Sequence, residues 1–331
     1  MAEFDYALPV DRIAQHPVEP RDAARLLVDR GPVHPPEHRH VRDLPMLLRR
    51  GDLVVVNDTR VLPARLLVQR ASGARVEVLL VEPLDGSFRR WQALVRNARK
   101  LRPPEPLIAG DGAVVVTVVG RDDDDLFIVE VGGDDPRATL ERHGHVPLPP
   151  YITEPLSDSE RYQTVYANRP ASVAAPTAGL HLTDAVLADL AARDIDVARV
   201  ELVVGLDTFK PVTVDDPAEH RMHREHYSVP AEVLARARAA ARVVAIGTTT
   251  VRALESAARG APAGRTELFM RRGEPFRLVD VLLTNFHLPR TTLLLMIDAF
   301  IGPRWRELYE IALADGYRFL SFGDAMLLER R

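Results

Sequence analysis

Between Val61 and Glu130 the chain runs through short β-rich pieces, Arg75 to Val81, Trp91 to Val95, Ala113 to Val119 and Leu126 to Val131, with no helical period between them. Asp85-Gly86, Pro103-Pro104 and the acidic turn Asp122 to Asp125 separate the pieces. Strands so closely spaced predict a small antiparallel barrel or sandwich. The flanks read differently. Gly51 to Asp58 is a turn, a β-branched run and a polar exit, the pattern of a buried strand that ends at a site. After Pro147-Leu148-Pro149-Pro150, strand and helix alternate: a helix from Thr183 to about Arg193, a strand at Val197 to Val204, a helix at Ala231 to Ala241, a strand at Arg242 to Ile246, a helix at Val251 to Arg259, a strand at Leu278 to Leu283 and a helix at Thr291 to Phe300. The expected architecture is an α/β main domain, residues 1–60 plus 149–331, with an inserted small all-β, barrel-like domain at 61–148.

Composition narrows the chemistry. The 331 residues contain no cysteine, which excludes disulfides, thiolate catalysis and any cysteine-based metal site. Met1 to Asp5 lacks the basic-then-apolar layout of a signal peptide, and the most apolar stretch, Leu293 to Ile301, is short and carries Asp298, so a cytoplasmic protein without a membrane span is expected. With a net charge of -4, contact with nucleic acid requires a local patch. Phe88 to Arg102 supplies one: Arg89, Arg90, Arg96, Arg99, Lys100 and Arg102, with no acid among them. Arg96, Arg99 and Lys100 are the candidate RNA contacts. Trp91 within the run either stacks on an unpaired base or fills a core.

Polar clusters crowd the C-terminal half. Ser172 to His181 combines small residues, Pro176 and Gly179 with Ser172, Thr177 and His181, a stretch built for close backbone approach to a ligand. Gly247-Thr248-Thr249-Thr250 follows a strand and opens a helix, which suits a carboxylate or phosphate at the positive dipole end and equally suits plain N-capping. Arg252 on the next turn favours the anion. Thr284-Asn285-Phe286-His287 repeats the logic at a second strand-to-helix junction, with Pro289 as helix starter. His220 to His226 matches no metal motif, and His223 with Glu225 fits acid-base chemistry better. No Gly-x-Gly-x-x-Gly or Walker pattern occurs, and no metal ligand set is assigned.

Taken together, Phe4-Asp5-Tyr6, Leu8-Pro9, Ile13-Ala14-Gln15, Arg21-Asp22, Asn57-Asp58-Thr59-Arg60-Val61, Val146 to Ile152, Arg161 to Tyr166, Ser172 to His181, Thr284 to Pro289 and Gly323 to Met326 resemble, in order and over essentially the whole chain, the S-adenosylmethionine:tRNA ribosyltransferase-isomerase family of queuosine biosynthesis. The resemblance implies a large α/β domain interrupted by a β-barrel, and a monomer. It also implies a reaction in which the ribosyl portion of S-adenosylmethionine, a co-substrate and not a prosthetic group, passes to the aminomethyl group of 7-aminomethyl-7-deazaguanine in tRNA. Epoxyqueuosine-tRNA forms, with release of adenine and methionine. The sulfonium acidifies the adjacent ribose carbon, so a positioned base can form an ylide, expel adenine and permit amine attack and epoxide closure without a metal. On the chemistry that such a reaction needs, His223 and Glu225 are acid-base candidates, and Thr177 and His181 are expected near the sugar. Thr249 and Arg252 hold the methionine carboxylate, Asn285 and His287 face adenine, and Asp58, Arg60, Ser172 and Asp324 join the substrate site.

The chain departs from the family at a few places. Where members read Leu-His-Val-Gly-x-Gly-Thr-Phe, it has Leu202-Val203-Val204-Gly205-Leu206-Asp207-Thr208-Phe209, and Asn97 and Asp298 are also unusual. Val203 and Asp207 are therefore expected to line the pocket. They leave two alternatives open: a paralogue using S-adenosylmethionine on a small-molecule acceptor, or a catalytically silent RNA-binding relative.

Overall fold

A β-branched run between a turn and a polar exit becomes a central strand. In chain order the first strands are β1 (Arg25–Asp29), β2 (Glu37–His40), β3 (Asp52–Asn57) and β4 (Thr59–Val61). The β-rich stretch gives β5 (Arg65–Gln69), β6 (Arg75–Pro83), β7 (Arg90–Arg96), β8 (Glu105–Ile108), β9 (Val114–Arg121), β10 (Phe127–Val131) and β11 (Gly144–His145). The rest gives β12 (Arg169–Ser172), β13 (Asp196–Leu202), β14 (Glu225–Ser228), β15 (Arg242–Ile246), β16 (Ala263–Thr266), β17 (Val281–Asn285) and β18 (Ala325–Glu329). The helices are α1 (Leu44–Leu47), α2 (Pro136–His143), α3 (Asp184–Ala192), α4 (Ala231–Ala239), α5 (Thr248–Arg259), α6 (Thr292–Ile301) and α7 (Trp305–Ala314). This computed structural model describes residues 1–122, 126–205, 212, 214–220, 222 and 224–331.

Two compact units result: Met1–Arg60 with Pro150–Pro170 and Ala175–Arg331, and Val61–Pro149 with Ala171–Ala174. The first is built on a nine-stranded mixed sheet in the order β16-β14-β13-β3-β15-β17-β18-β1-β2. Its centre, β13-β3-β15-β17, is parallel. Val54, Val56, Val244, Ile246, Val281 and Leu283 share one face and pack with Val186 and Leu190 of α3. The alternate residues Leu53, Val55, Val243, Ala245 and Leu282 are equally buried, so both faces are covered, as a parallel sheet with crossover helices requires. α5 is the crossover between the neighbouring strands β15 and β17. Among the described residues no helix is long and apolar enough to cross a membrane.

The second unit is a closed antiparallel barrel, β5-β6-β7-β10-β9-β8, in which Gln69 of β5 meets Ile108 of β8 and β11 adds to β5. Alternation fills its interior with Val76, Val78, Leu80, Ala93, Val116, Val118 and Val129. Trp91 belongs to this core. It is fully buried, and its indole donates to the Phe88 carbonyl at 2.7 Å, which settles the open choice against base stacking. Arg89 is likewise committed, donating to the carbonyls of Val131, Gly133 and Asp134. Arg96, Arg99 and Lys100 are exposed; Arg96 faces Glu77 at 3.6 Å, whereas Arg99 and Lys100 have no ion-pair partner among the described residues. Asn97 opens their turn at φ 61, a left-handed conformation that asparagine tolerates, which accounts for that departure from the family.

Candidate active site

Parallel strands place their carboxyl ends together, and here the ends of β13, β3, β15 and β17 lie on one edge of the sheet. From β3 the chain builds outward to β13 on one side and through β15 to β17 on the other, so the segments leaving β13 and β15 diverge about β3. Ligands of open α/β sheets bind at such a switch point. Asn57, the last residue of β3, ties the divergence together. Its Nδ2 donates to Leu202 O at 2.9 Å and reaches Thr249 Oγ1 at 3.4 Å, while its Oδ1 accepts from Leu202 N at 3.2 Å.

A cleft opens at this edge. Ala175 to Ala178, Val204, Gly247 to Thr249, Thr284 to Leu288, Thr291, Leu320 and Ser321 are in its wall, together with Tyr151. No described residue of the wall is an aspartate, glutamate, lysine or arginine. What its described residues offer is neutral hydrogen-bonding groups and apolar surface.

One network runs along the wall. Asn285 Nδ2 donates to Leu320 O at 3.1 Å and lies 2.9 Å from His181 Nε2, and Thr177 Oγ1 donates to Asn285 Oδ1 at 3.3 Å. Leu320 O fixes the orientation of the amide, so His181 Nε2 is the acceptor and its ring proton sits on Nδ1. Burial, aided by Arg318 and Arg21, lowers the His181 pKa to about 4. His181 is not in the wall, and its neutral ring holds Asn285, which in turn holds Thr177. Asn285 lines the cleft with both amide hydrogens engaged inside the protein, and its Oδ1 accepts from Thr177. The approach of His181 depends on Gly179, where a Cβ would stand 2.0 Å from Tyr166 Oη.

His287 is in the wall. Its Nε2 pairs with Thr284 Oγ1 at 2.9 Å, and its backbone is pinned from both sides: Tyr6 donates to His287 O at 2.5 Å, and His287 N donates to Tyr309 Oη at 2.9 Å. Burial pushes its pKa to about 3, so the ring is neutral at physiological pH. Tyr151 Oη shares a 2.7 Å hydrogen bond with Ser321 Oγ, and burial raises its pKa. Sequence reasoning passed over Tyr6, Asn57, Tyr151 and Thr248 as site residues, although each stood inside a quoted motif.

Other candidates sit elsewhere. Arg252 and Glu225 form a buried ion pair away from the cleft wall, where burial lowers the arginine pKa to about 10. The guanidinium also donates to Leu268 O at 3.1 Å, and Glu225 Oε1 accepts from Gly205 N at 3.3 Å. Arg252 is thus spent on Glu225 and cannot serve as a free carboxylate clamp. Asp324 accepts from Arg25 N at 2.9 Å and Arg318 N at 2.8 Å, a clamp on β1 and its neighbouring turn. Arg60 pairs with Glu160, and Ser172 O accepts from Leu62 N at 2.8 Å. The half-buried Asp58 carboxyl titrates high because of desolvation, with Arg199 opposing. None of these four lines the cleft. His223 and Asp207 lie outside the described residues.

The family model for the queuosine biosynthesis protein matches residues 1–328. The chain belongs to the queuosine biosynthesis protein family. It is 48% identical over 340 residues to the S-adenosylmethionine:tRNA ribosyltransferase-isomerase of Symbiobacterium thermophilum, covering 99% of each chain. Against the protein of that name from Anaeromyxobacter dehalogenans strain 2CP-C it is 50% identical over 344 residues, covering 100% of this chain and 99% of the other. Among solved structures it is similar to S-adenosylmethionine tRNA ribosyltransferase from Thermotoga maritima, at 36% identity, TM-score 0.56, and 98% and 99% coverage.

Within this queuosine biosynthesis family, two of the departures, Asn97 and Asp298, take residue-specific local roles. Asp298 is a structural anchor of α6, accepting from Arg272 at 2.8 Å and 3.1 Å and from Trp305 Nε1 at 3.1 Å. Val203 does not line the cleft as expected. Its N–H donates to His226 O at 2.9 Å beside the β13–β14 pair, and the adjacent residue, Val204, is in the wall instead.

Proposed function

We propose that this chain is an S-adenosylmethionine:tRNA ribosyltransferase-isomerase. It transfers and isomerises the ribosyl moiety of S-adenosylmethionine onto 7-aminomethyl-7-deazaguanine in tRNA. The products are epoxyqueuosine-tRNA, adenine and methionine. The observation that carries this reading is identity of 48% and 50%, end to end, with proteins of that name. The cleft at the switch point supports it, since its described wall gathers convergent neutral hydrogen-bonding groups at the carboxyl ends of the strands. The sum balances: the sulfonium cation and a primary amine give a secondary amine, adenine, neutral methionine thioether and one proton.

Residue roles follow from the chemistry each group can perform. His287, neutral and fixed through its backbone, hydrogen-bonds the adenine and its ring does not take up a proton. Thr177, aimed by Asn285 and His181, contacts the sugar. The acid-base role falls to His223, with the Asp207 carboxylate beside the sulfonium. Arg96, Arg99 and Lys100 bind tRNA phosphates. The protein acts in the cytoplasm as a monomer.

Adenine release tests the reading. With S-adenosylmethionine and tRNA carrying 7-aminomethyl-7-deazaguanine, free adenine appears only when that tRNA is present. Release independent of RNA would place the activity on a small acceptor, and RNA binding without release would leave a silent relative; either result rejects the proposal.

A further inference from the structure

Two helices begin at the cleft, and they begin differently. α6 is closed by its own cap, the Thr291 hydroxyl accepting from Leu294 N. α5 starts from Gly247, which has no side chain to offer, so no side-chain cap answers its first amides. Those amides also lack intrahelical partners by construction. Gly247 stands at φ 90 and ψ 153, a conformation reserved for glycine, with its N–H on Leu283 O at 2.8 Å. The helix therefore starts without a cap, on a conformation that glycine adopts freely.

The three threonines that follow separate by function. Thr250 Oγ1 donates to Ile246 O at 2.7 Å, and Thr249 Oγ1 accepts from Asn57 Nδ2 at 3.4 Å. Thr248 is 7% exposed and in the cleft wall, yet its hydroxyl has no partner among the described residues. The residue is otherwise enclosed, so this hydroxyl opens to the cleft, where an oxygen of a ligand can accept from it. Beside it lies the positive end of a twelve-residue helix, in a wall that offers no described cation.

We infer that the open first turn of α5, the amides of Thr248 and Thr249 together with the Thr248 hydroxyl, is a carboxylate subsite that holds the amino-acid end of S-adenosylmethionine. This assignment rests on the proposed function and deepens it. It moves the carboxylate from Arg252, which is neutralised by Glu225, to backbone and hydroxyl donors. It also gives the cleft a direction: the methionyl arm lies toward β15, and the purine toward His287 beyond β17.

The decisive comparison is between S-adenosylmethionine and its decarboxylated form, each titrated calorimetrically into the full-length protein. The wild type should prefer the carboxylated ligand at least tenfold. Thr248→Val, isosteric but without the hydroxyl, should cut that preference about tenfold through loss of S-adenosylmethionine affinity alone. Thr248→Ser should restore it, and Thr248→Asp, which supplies an internal carboxylate, should abolish or invert it. Equal affinity of the wild type for the two ligands, or a preference that survives both Val and Asp, overturns the subsite. So does Thr248→Val weakening tRNA binding while S-adenosylmethionine binding is unmoved, since the anion would then be an RNA phosphate. If the wild type binds neither nucleoside, the functional reading falls with it, a result distinct from equal binding.

Discussion

The sheet edge of the α/β unit and the Asn97–Lys100 turn of the barrel both gather polar side chains, by opposite physical means. At the sheet edge no described residue of the cleft wall is charged, Arg252 and Glu225 pair behind it, and position is fixed by neutral hydrogen bonds such as Leu320–Asn285–His181. At the barrel turn the charges are exposed, and Arg99 and Lys100 have no ion-pair partner among the described residues. The first arrangement is rigid, short-ranged and insensitive to salt. The second is adaptable, long-ranged and screened. A ligand that must be bent through a strained reaction suits the first, and a polyanion that must be found and held suits the second.

The contrast breaks most visibly at the buried pair. Glu225→Ala leaves the Arg252 guanidinium buried and unpaired and frees Gly205 N from its acceptor. Removing one partner of a buried pair costs about 3–5 kcal/mol. Urea unfolding should show that loss, and a Glu225→Ala, Arg252→Met double variant should recover much of it. A large activity loss at unchanged stability would instead return Glu225 to the acid-base role first read from sequence.

Asn285→Ala should come next. It strips Thr177 and His181 of their common partner, and an unsatisfied buried group costs about 1–3 kcal/mol. Adenine release should fall about a hundredfold if that cost is expressed in the transition state. Thr177→Val should reproduce part of the fall and His181→Asn less, because the histidine acts through the amide. If His181→Asn proves the most damaging, with a pH profile to match, the order of the relay is wrong.

The neutral histidines set the acid limit. Both are depressed below the ordinary value near 6.5, His181 to about 4 and His287 to about 3, chiefly by burial. Between those values the unfolded chain binds more protons than the folded one, so stability is full above pH 6.5 and falls as the pH drops toward 4. The slope is at most about 1.4 kcal/mol per pH unit for each ring. Denaturation midpoints from pH 7 to 4 should follow it, and His287→Gln should flatten it. A profile unchanged by that substitution would mean the ring is not held neutral.

How far the sequence foretold this contrast depended on the kind of signal. Strong periodicity marked β3, β15, α3, α4 and β6, β7, β9 and β10 of the barrel, because buried β-branched runs and apolar helix faces leave their spacing in the chain. β2, Glu-His-Arg-His, and β14, Glu-His-Tyr-Ser, are polar strands recruited by neighbours and carry no such spacing. The α5 threonines were legible as a junction, but which hydroxyl was free depended on Asn57, distant in sequence. Arg252 and Glu225 misled for the same reason: a charged residue near a junction reads as a ligand contact until its partner is located. Polar density located the region; only three-dimensional pairing separated the groups already satisfied from those left for a ligand.

The smallest expected effect lies on the barrel turn and tests the other half of the contrast. On the proposed role of exposed Arg99 and Lys100 as phosphate contacts, their effects should add and act through counterion release, so each neutralised contact should reduce the slope of log K against log salt by about 0.7 to 0.9. Lys100→Ala should weaken tRNA binding only severalfold at physiological salt, and Arg99→Ala, Lys100→Ala roughly the product of the two, with S-adenosylmethionine affinity unchanged. Arg96 should contribute less than Arg99, because Glu77 at 3.6 Å already offsets part of its charge. Fluorescence anisotropy of labelled tRNA across a salt series resolves these slopes. Were Arg96 to dominate, the ion pair with Glu77 would have to open on binding; were none of the three to move the slope, the turn would be a solvated face and the polyanion would have to be held elsewhere.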